Sequence, residues 1–208
     1  MQRRLPVNIC WLGHASFVID EDVVIYVDPY RLEGRSGLKP ADIILITHSH
    51  FDHCSKKDID KIRKKDTVII APADCKPEIE GQVSALEPGK RKEIKGVSIE
   101  AVPAYNIGKE FHPREKGWVG YIMTIKGTRI YHAGDTDLIP EMESIEADIA
   151  LLPVGGTYTM DAEQAADAAK KIKPMIAIPM HYGSVVGRIS DADEFEELCE
   201  SKVCRLDE

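Results

Sequence analysis

The heptapeptide Thr47-His48-Ser49-His50-Phe51-Asp52-His53 places three histidines and an aspartate within six consecutive residues. It directly follows Ile43-Ile44-Leu45-Ile46, whose continuous apolar character predicts a strand buried on both faces. The histidines therefore stand at the carboxyl end of a buried strand, where the chain turns into a loop. In open α/β sheets this end of a strand is where ligand sites usually form.

The spacing within this heptapeptide indicates a metal site. His48 and His50 are two residues apart, so in an extended backbone both imidazoles point to the same side. Asp52 and His53 follow after a turn and can bind a second ion beside the first. Imidazole and carboxylate ligands suit zinc, with iron and manganese as alternatives. A histidine-rich surface loop is the competing interpretation, but unpaired imidazoles beside a core carry a desolvation cost.

Length and composition limit the class of protein. A chain of 208 residues with 43% hydrophobic residues predicts a single domain over 1–208. No apolar run typical of a signal peptide follows Arg3 and Arg4, and no segment is typical of a membrane span. Five cysteines without a C-x-x-C pair fit a reducing compartment, so we expect a cytoplasmic protein without a membrane partner. The net charge of −8 makes nucleic acid an unfavourable partner.

Apolar periodicity and turn residues predict many short strands and few helices. The predicted strands cover 7–12, 16–19, 23–27, 43–46, 67–71, 90–95, 97–102, 119–125, 128–133, 149–153, 175–178 and 202–206. The predicted helices cover 55–64 and 161–171, and a last one opens at Ser190. Small residues form one stripe on the second helix, which lets it pack closely against a sheet; these are Ala162, Ala165, Ala166 and Ala169.

A strand followed by histidine occurs twice, at Ile43–His48 and at Met175–His181. Between them, Gly134-Asp135-Thr136 directly follows a predicted strand. Each half of the chain is thus expected to deliver ligands from the end of a sheet to one shared seam.

Together these residues resemble the metallo-β-lactamase fold superfamily. The pattern H-x-H-x-D-H is complete as His48, His50, Asp52 and His53, and it is followed by Gly134-Asp135-Thr136 and His181. Other stretches are similar to the small hydrolases related to L-ascorbate-6-phosphate lactonase: Trp11-Leu12-Gly13-His14, Val27-Asp28-Pro29, Tyr131-His132-Ala133-Gly134-Asp135-Thr136 and Pro179-Met180-His181-Tyr182. The resemblance implies a mixed α/β (α+β) fold, arranged as a four-layer αββα sandwich with a dinuclear site at one edge of its two sheets.

The resemblance also implies a ligand set. One ion takes His48, His50 and a third histidine, the other takes a second group of side chains, and an aspartate bridges both. That second group is Asp52, His53 and His181, and the bridge is Asp135. Many relatives have the third histidine soon after an alanine–aromatic pair, but here Ala104-Tyr105 is followed by Asn106.

We expect His112, in the same loop as Asn106, to be the third histidine, because a neutral carboxamide oxygen is a poor substitute for imidazole on a zinc-like ion. Asn106 as a ligand, a vacant position, and an exposed loop histidine at position 112 are the alternatives.

Further residues are expected around these ligands. Asp52 is a candidate both for binding an ion and for orienting the nucleophile, and Asp28 is a candidate acceptor of a hydrogen bond from a ligand histidine. His14, His132 and Tyr182 are candidate proton donors. For His14, a satisfied core histidine is an equally good interpretation.

The predicted function is hydrolysis by a hydroxide that two divalent ions, most simply Zn²⁺, activate. Gly155–Thr159 before the helix at Asp161, and the cations Lys109, Arg114 and Lys116 beside His112, favour a small anionic substrate. An ester, a lactone or a phosphodiester fits this description, and a phosphorylated molecule is one form of it. An RNA or DNA phosphodiesterase and a non-catalytic metal-binding module are the alternatives. The sequence leaves open whether the protein is a homo-oligomer.

Overall fold

The computed structural model describes residues 5–207 and contains two β-sheets. The first sheet has the order β1-β2-β3-β4-β5-β6, with β1 (Ile9–Trp11), β2 (Phe17–Asp20), β3 (Val24–Val27), β4 (Ala41–Leu45), β5 (Arg63–Ile70) and β6 (Val83–Ser84). The second has the order β13-β12-β11-β10-β9-β8-β7, with β7 (Arg91–Ile94), β8 (Val97–Pro103), β9 (Val119–Ile125), β10 (Thr128–His132), β11 (Ile149–Pro153), β12 (Ile176–Met180) and β13 (Lys202–Val203).

Each sheet is antiparallel at one side and parallel at the other. Strands β1 to β3 pair antiparallel, and β3 to β6 pair parallel. Strands β7 to β10 pair antiparallel, and β10 to β13 pair parallel. The carboxyl ends of parallel neighbours lie at the same edge of a sheet, so loops that are distant in sequence meet there.

The alternation of side chains along β4 builds the layers. Ile43 and Leu45 lie in the core between the sheets, whereas Ile44 and Ile46 lie in a second cluster on the outer face. Ile59 and Ile62 of helix α1 (Lys56–Ile62) cover that outer face. A strand covered on both faces reads as a continuous apolar run, as the sequence indicated.

Helices also cover the second sheet. Helix α2 (Ala162–Ile172) contacts β11, and helix α3 (Ile189–Leu198) contacts β12. The predicted alanine stripe of α2 is buried, and the two-sheet arrangement confirms the predicted fold class. Three short 3₁₀ helices complete the described elements: Ala73–Glu78, Arg114–Lys116 and Pro140–Ser144.

The structure corrects several predicted boundaries. Strand β12 continues through Pro179 to Met180. Its pairing with β13 ends at Ala177, so the ladder on that side does not require an amide hydrogen from Pro179. The last strand stops at Val203 rather than 206, and α3 begins at Ile189 rather than Ser190. The sequence reading missed β6 and the 3₁₀ helices, which are too short for a periodicity to develop.

None of the helices described within 5–207 is long and apolar enough to cross a membrane. The predicted absence of a signal peptide rests partly on residues 1–4, which lie outside the described residues.

Helix α2 starts with a reciprocal cap. The Asp161 carboxylate accepts a hydrogen bond from the Gln164 amide at 2.8 Å, and the Gln164 side chain accepts one from the Asp161 amide at 3.2 Å. Asp161→Ala should lower the free energy of unfolding by about 1 kcal/mol, measured by chemical denaturation. Asp167→Ala, on the exposed face of the same helix, is the matched control and should stay within about 0.5 kcal/mol of the parent. Equal losses in the two variants would contradict the capping role.

Candidate metal centre

Histidines and carboxylates from both sheets converge at one edge. They follow strand ends or lie in a connection: His14 after β1, Asp28 after β3, His48 to His53 after β4, His112 between β8 and β9, Asp135 after β10 and His181 after β12. Backbone hydrogen bonds join loops that come from different sheets. The Val119 amide donates to the Thr47 carbonyl at 3.1 Å, and the His181 amide donates to the His14 carbonyl at 2.9 Å.

Three residues of this edge have a left-handed backbone. The φ angles of His14, Asp28 and His181 are 54°, 45° and 60°. Non-glycine residues rarely adopt this region, and it costs of order 1–3 kcal/mol at each position. Such strain is typical of functional sites, where the surrounding structure holds a side chain in a required direction.

Asp135 lies at the centre of the histidines. Its Oδ2 atom is 3.0 Å from His181 Nε2, 3.3 Å from His112 Nε2 and 3.9 Å from His48 Nε2. Its Oδ1 atom is 3.4 Å from His53 Nε2. One buried carboxylate is thus close to side chains that the sequence assigned to two different ions.

The side chains form two groups that could each hold an ion. Within each group, one ligand atom per residue lies within 4.8 Å of the others. The first group is His48, His50 and His112, and the second is His14, Asp52, His53 and His181. A third combination, Asp28 with His48 and His53, meets the same distance limit. The Asp28 oxygens, however, already accept hydrogen bonds from Thr47 and His53.

Several buried polar atoms of these residues lack a hydrogen-bond partner, and they indicate whether the residues fit a cation. His53 Nε2, His112 Nε2, His181 Nε2 and Asp135 Oδ1 are buried without a hydrogen-bond partner among the described residues. A buried polar atom that is left unpaired costs about 1–3 kcal/mol. Here the atoms face one another rather than scatter, and all are good ligands for a divalent ion, so the donor set fits a metal.

The sequence profile of the β-lactamase superfamily domain matches residues 8–181 of this chain. The UPF0173 metal-dependent hydrolase Ta0764 of Thermoplasma acidophilum is 38% identical over 207 residues, covering 92% of this chain and 90% of that relative. The chain belongs to the metallo-β-lactamase superfamily.

Further relatives agree with this placement. The UPF0173 metal-dependent hydrolase TK0141 of Thermococcus kodakarensis is 35% identical and covers 94% of this chain and 93% of its own length. Igni18, a metallo hydrolase from Ignicoccus hospitalis, is 28% identical, with a TM-score of 0.77 over 97% of this chain and 96% of its own. A Parabacteroides distasonis protein, whose assignment as a metal-dependent hydrolase is itself provisional, is 38% identical, with a TM-score of 0.87 over 96% of this chain and 92% of its own. The predicted enzyme class, a metal-dependent hydrolase, is confirmed at the level of this family.

Two carboxylates at the centre of this metallo-β-lactamase superfamily member, those of Asp135 and Asp52, are ionised. Burial tends to raise the pKa of Asp135, but His181 and His53 outweigh it and hold that pKa well below its usual range. Burial also tends to raise the pKa of Asp52, whereas the hydrogen bond from His14 and the nearby His53 lower it to about 2. The centre therefore presents fixed negative charge, which attracts a cation.

The histidines divide by charge state. Burial lowers the pKa of His14 to about 4 and holds the pKa of His48 well below its usual value, so both are neutral at pH 7. Burial would also lower the pKa of His53, but the carboxylates of Asp135 and Asp28 raise it to about 9. The metal-free protein therefore carries a proton on His53 at neutral pH.

Outer hydrogen bonds fix how the ligand candidates point. Asp28 is fully buried and accepts hydrogen bonds from His53 Nδ1 at 2.8 Å and from the Thr47 hydroxyl at 2.6 Å. The same hydroxyl lies 2.9 Å from His48 Nδ1. Each bond turns the Nε2 atom of its histidine towards the centre. Asp28 thus accepts a hydrogen bond from a candidate ligand histidine, as the sequence predicted, and Thr47, which directly precedes the histidines, is an outer partner that the sequence did not indicate.

Trp118 is a second residue that the sequence reading missed. Its ring lies 5.0 Å from the ring of His48, 4.9 Å from that of His50 and 5.5 Å from that of His112. The indole Nε1 donates to Asp74 at 2.8 Å. The ring shields this side of the first group from water, and no local pattern in the sequence predicts that contact.

His132 does not reach the cluster as a proton donor. Its Nε2 lies 2.9 Å from the Ala15 carbonyl, and its Nδ1 accepts from the Gly134 amide at 3.2 Å. With both ring nitrogens bound to the backbone, His132 is a core histidine, which corrects its assignment as a catalytic candidate. Tyr182 is likewise placed elsewhere, stacked on Trp11 with ring centroids 5.0 Å apart.

Two of the cations predicted to face an anionic substrate are engaged by the protein itself. Lys109 Nζ donates to Asp137 at 2.6 Å and to the Thr159 carbonyl at 2.7 Å. Arg114 pairs with Glu141 at 2.7 Å. The start of α2 carries its own cap, in which the Asp161 carboxylate accepts a hydrogen bond from the Gln164 amide.

Binding of Zn²⁺ to the metal-free protein should release a proton from His53, because a histidine binds a metal only when its lone pair is free. His53 is protonated below its pKa of about 9, so it should release close to one proton at pH 7 to 8 and less as the pH rises through 9, and apparent affinity should rise with pH up to about 9.

Titration calorimetry in two buffers of different ionisation enthalpy measures this release. Asp28→Asn, which removes one of the charges that raise the His53 pKa, should shift the release to lower pH. That variant separates His53 from other proton sources. Buffer-independent heats at pH 7 would contradict the prediction.

Proposed function

We propose that this hydrolase binds two divalent ions, most simply zinc. The first lies among His48, His50 and His112. The second lies among Asp52, His53 and His181, and Asp135 is shared. The observation that carries the proposal is the buried Asp135 carboxylate, which lies 3.0 to 3.9 Å from imidazole nitrogens of both groups.

Two divalent ions at such a centre supply an activated water and polarise the substrate's carbonyl or phosphoryl oxygen. The protein's own side chains orient the reactants. His14 Nε2 lies 3.1 Å from Asp52 Oδ2 and, as a neutral imidazole, donates to it. This bond engages Asp52 Oδ2 and leaves Asp52 Oδ1 available. We therefore assign the orientation of the nucleophile to Asp52 and the support of Asp52 to His14.

We propose a small anionic ester, lactone or phosphodiester as the substrate. The charge of two divalent ions exceeds that of the two ligand carboxylates, so the loaded centre attracts an anion. Lys116 supports the same choice: its ammonium lies 5.8 Å over the Trp118 ring, beside the first group, and forms no salt bridge among residues 5–207. Nucleic acid and membranes are not proposed as partners, given the net charge of −8.

We also propose that the protein works in the cytoplasm. Its cysteines are all free, including the buried Cys54 and Cys75. Free thiols of this kind support a reducing compartment.

Metal analysis of protein purified without added metal, followed by hydrolase assays, tests the proposal. We expect about two ions per chain. We also expect turnover of a phosphodiester, lactone or thioester probe, and a chelator should abolish that turnover.

Asp135→Ala should lose one or both ions and all measurable hydrolysis, because two cations would then lack the shared charge between them. Asp167→Ala is the matched control. Normal turnover in Asp135→Ala with both ions retained would refute the bridging role.

Lys116→Ala and Arg114→Ala form a second matched pair. Removing Lys116 should raise KM for an anionic substrate about three- to fivefold, the effect of one exposed charge contact of about 1 kcal/mol. Arg114→Ala should change KM less, because that guanidinium already pairs with Glu141. Kinetics at low and high salt measure both. An equal effect of the two variants would argue against Lys116 as a substrate contact.

A further inference from the structure

Asn106 is hydrogen-bonded to both the backbone and the ring of His112. The Asn106 amide donates to the His112 carbonyl at 2.8 Å, and the His112 amide donates back to Asn106 Oδ1 at 3.0 Å. The same Oδ1 atom lies 3.0 Å from His112 Nδ1. One carboxamide oxygen thus holds both the backbone and the ring of a histidine six positions later. Both of its lone pairs are used, so Asn106 is not itself available as a metal ligand.

The neighbours of Asn106 decide which way its carboxamide points. Asn106 Nδ2 donates to Asp137 Oδ1 at 3.0 Å and to the Tyr158 carbonyl at 2.9 Å. Both partners are acceptors only, so the NH₂ group has to lie on their side and the oxygen on the side of His112. His112 Nδ1 must then carry the proton. The Nε2 lone pair of His112 is left to face Asp135 Oδ2, 3.3 Å away.

Asp137 anchors this arrangement to the segment that carries Asp135. Its carboxylate also accepts from the Ile107 amide at 2.8 Å and from Lys109 Nζ at 2.6 Å. Its own amide donates to the Tyr105 carbonyl at 2.9 Å. These hydrogen bonds therefore tie the loop that carries His112 to the residues directly after Asp135.

We propose that Asn106 is a positioning residue for the first ion. Its hydrogen bonds fix the tautomer and direction of His112, and Asp137 and Tyr158 in turn fix the orientation of the Asn106 carboxamide. The proposal rests on the proposed role of His112 as a ligand. The position requires an acceptor and a donor on one short side chain. Aspartate would keep the acceptor, lose the donor and bring a second carboxylate to Asp137, while alanine would lose both.

The tautomer is tested in metal-free, ¹⁵N-labelled protein. The wild type should give a His112 ring signal with the proton on Nδ1, slowed in exchange by its hydrogen bond, and His112→Gln assigns that signal. Asn106→Ala should mix the two tautomers and speed the exchange. Asn8→Ala, at the chain's other asparagine, is the matched control and should leave the signal unchanged.

Metal affinity is tested with cobalt(II), followed by its visible absorption. Asn106→Ala should weaken one of the two ions about 10- to 100-fold and leave the other within about threefold. Asn106→Asp should also weaken that ion. Adding Asp137→Asn to Asn106→Asp places an amide donor at position 137 opposite a carboxylate acceptor at position 106 and keeps the wild-type net charge. The double variant should therefore recover part of the lost cobalt affinity. Asp137→Asn alone should not strengthen binding.

Several outcomes would overturn the proposal. It fails if Asn106→Ala keeps both the His112 proton signal and full cobalt affinity, or if the double variant binds no better than Asn106→Asp. If Asn106→Ala does not fold, Asn106→Asp with its double variant decides. A wild-type protein that binds no cobalt refutes the proposed function instead, and the tautomer experiment then still decides whether Asn106 sets the His112 ring.

Discussion

The buried charge of Asp135 is the constraint on which the rest of the centre depends. The carboxylate is 4% exposed and has imidazoles on several sides. An isolated charge in such a place would cost more free energy than the net stability of a folded domain, so it persists only with compensating partners. Histidines from three separate connections supply those partners: His53, His112 and His181. In the metal-free protein His53 carries the compensating proton, and a bound cation would take over that role.

Imidazoles compensate a charge only if their N–H groups and lone pairs point correctly, which explains the outer layer of hydrogen bonds. Asp28 and Thr47 orient His53 and His48 on the side of the first sheet. Asn106 performs the corresponding task for His112 on the side of the second sheet. Each sheet therefore brings its own histidines and the polar groups that aim them.

The sheets explain why such distant residues can meet with this accuracy. Parallel pairing of β3 with β4, of β10 with β11, and of β11 with β12 brings the loops after these strands to common edges. The backbone strain at His14, Asp28 and His181 is then borne by a rigid framework instead of by the loops alone. Cross-links such as the Val119–Thr47 hydrogen bond hold the two edges together.

The sequence by itself determined most of the strands, the candidate metal-binding heptapeptide and the family, because these depend on local periodicity and on polar side chains close together in the chain. It also indicated Asp28 as an outer partner, from its place at a strand end. Only the tertiary structure decided that His132 bonds to the backbone, that Lys109 belongs to Asp137, and that Asn106 holds His112. Each of these depends on which group across a loop or sheet satisfies a buried donor or acceptor. Hydrogen-bond satisfaction is a property of the packed molecule, and short-range patterns in a sequence do not encode it.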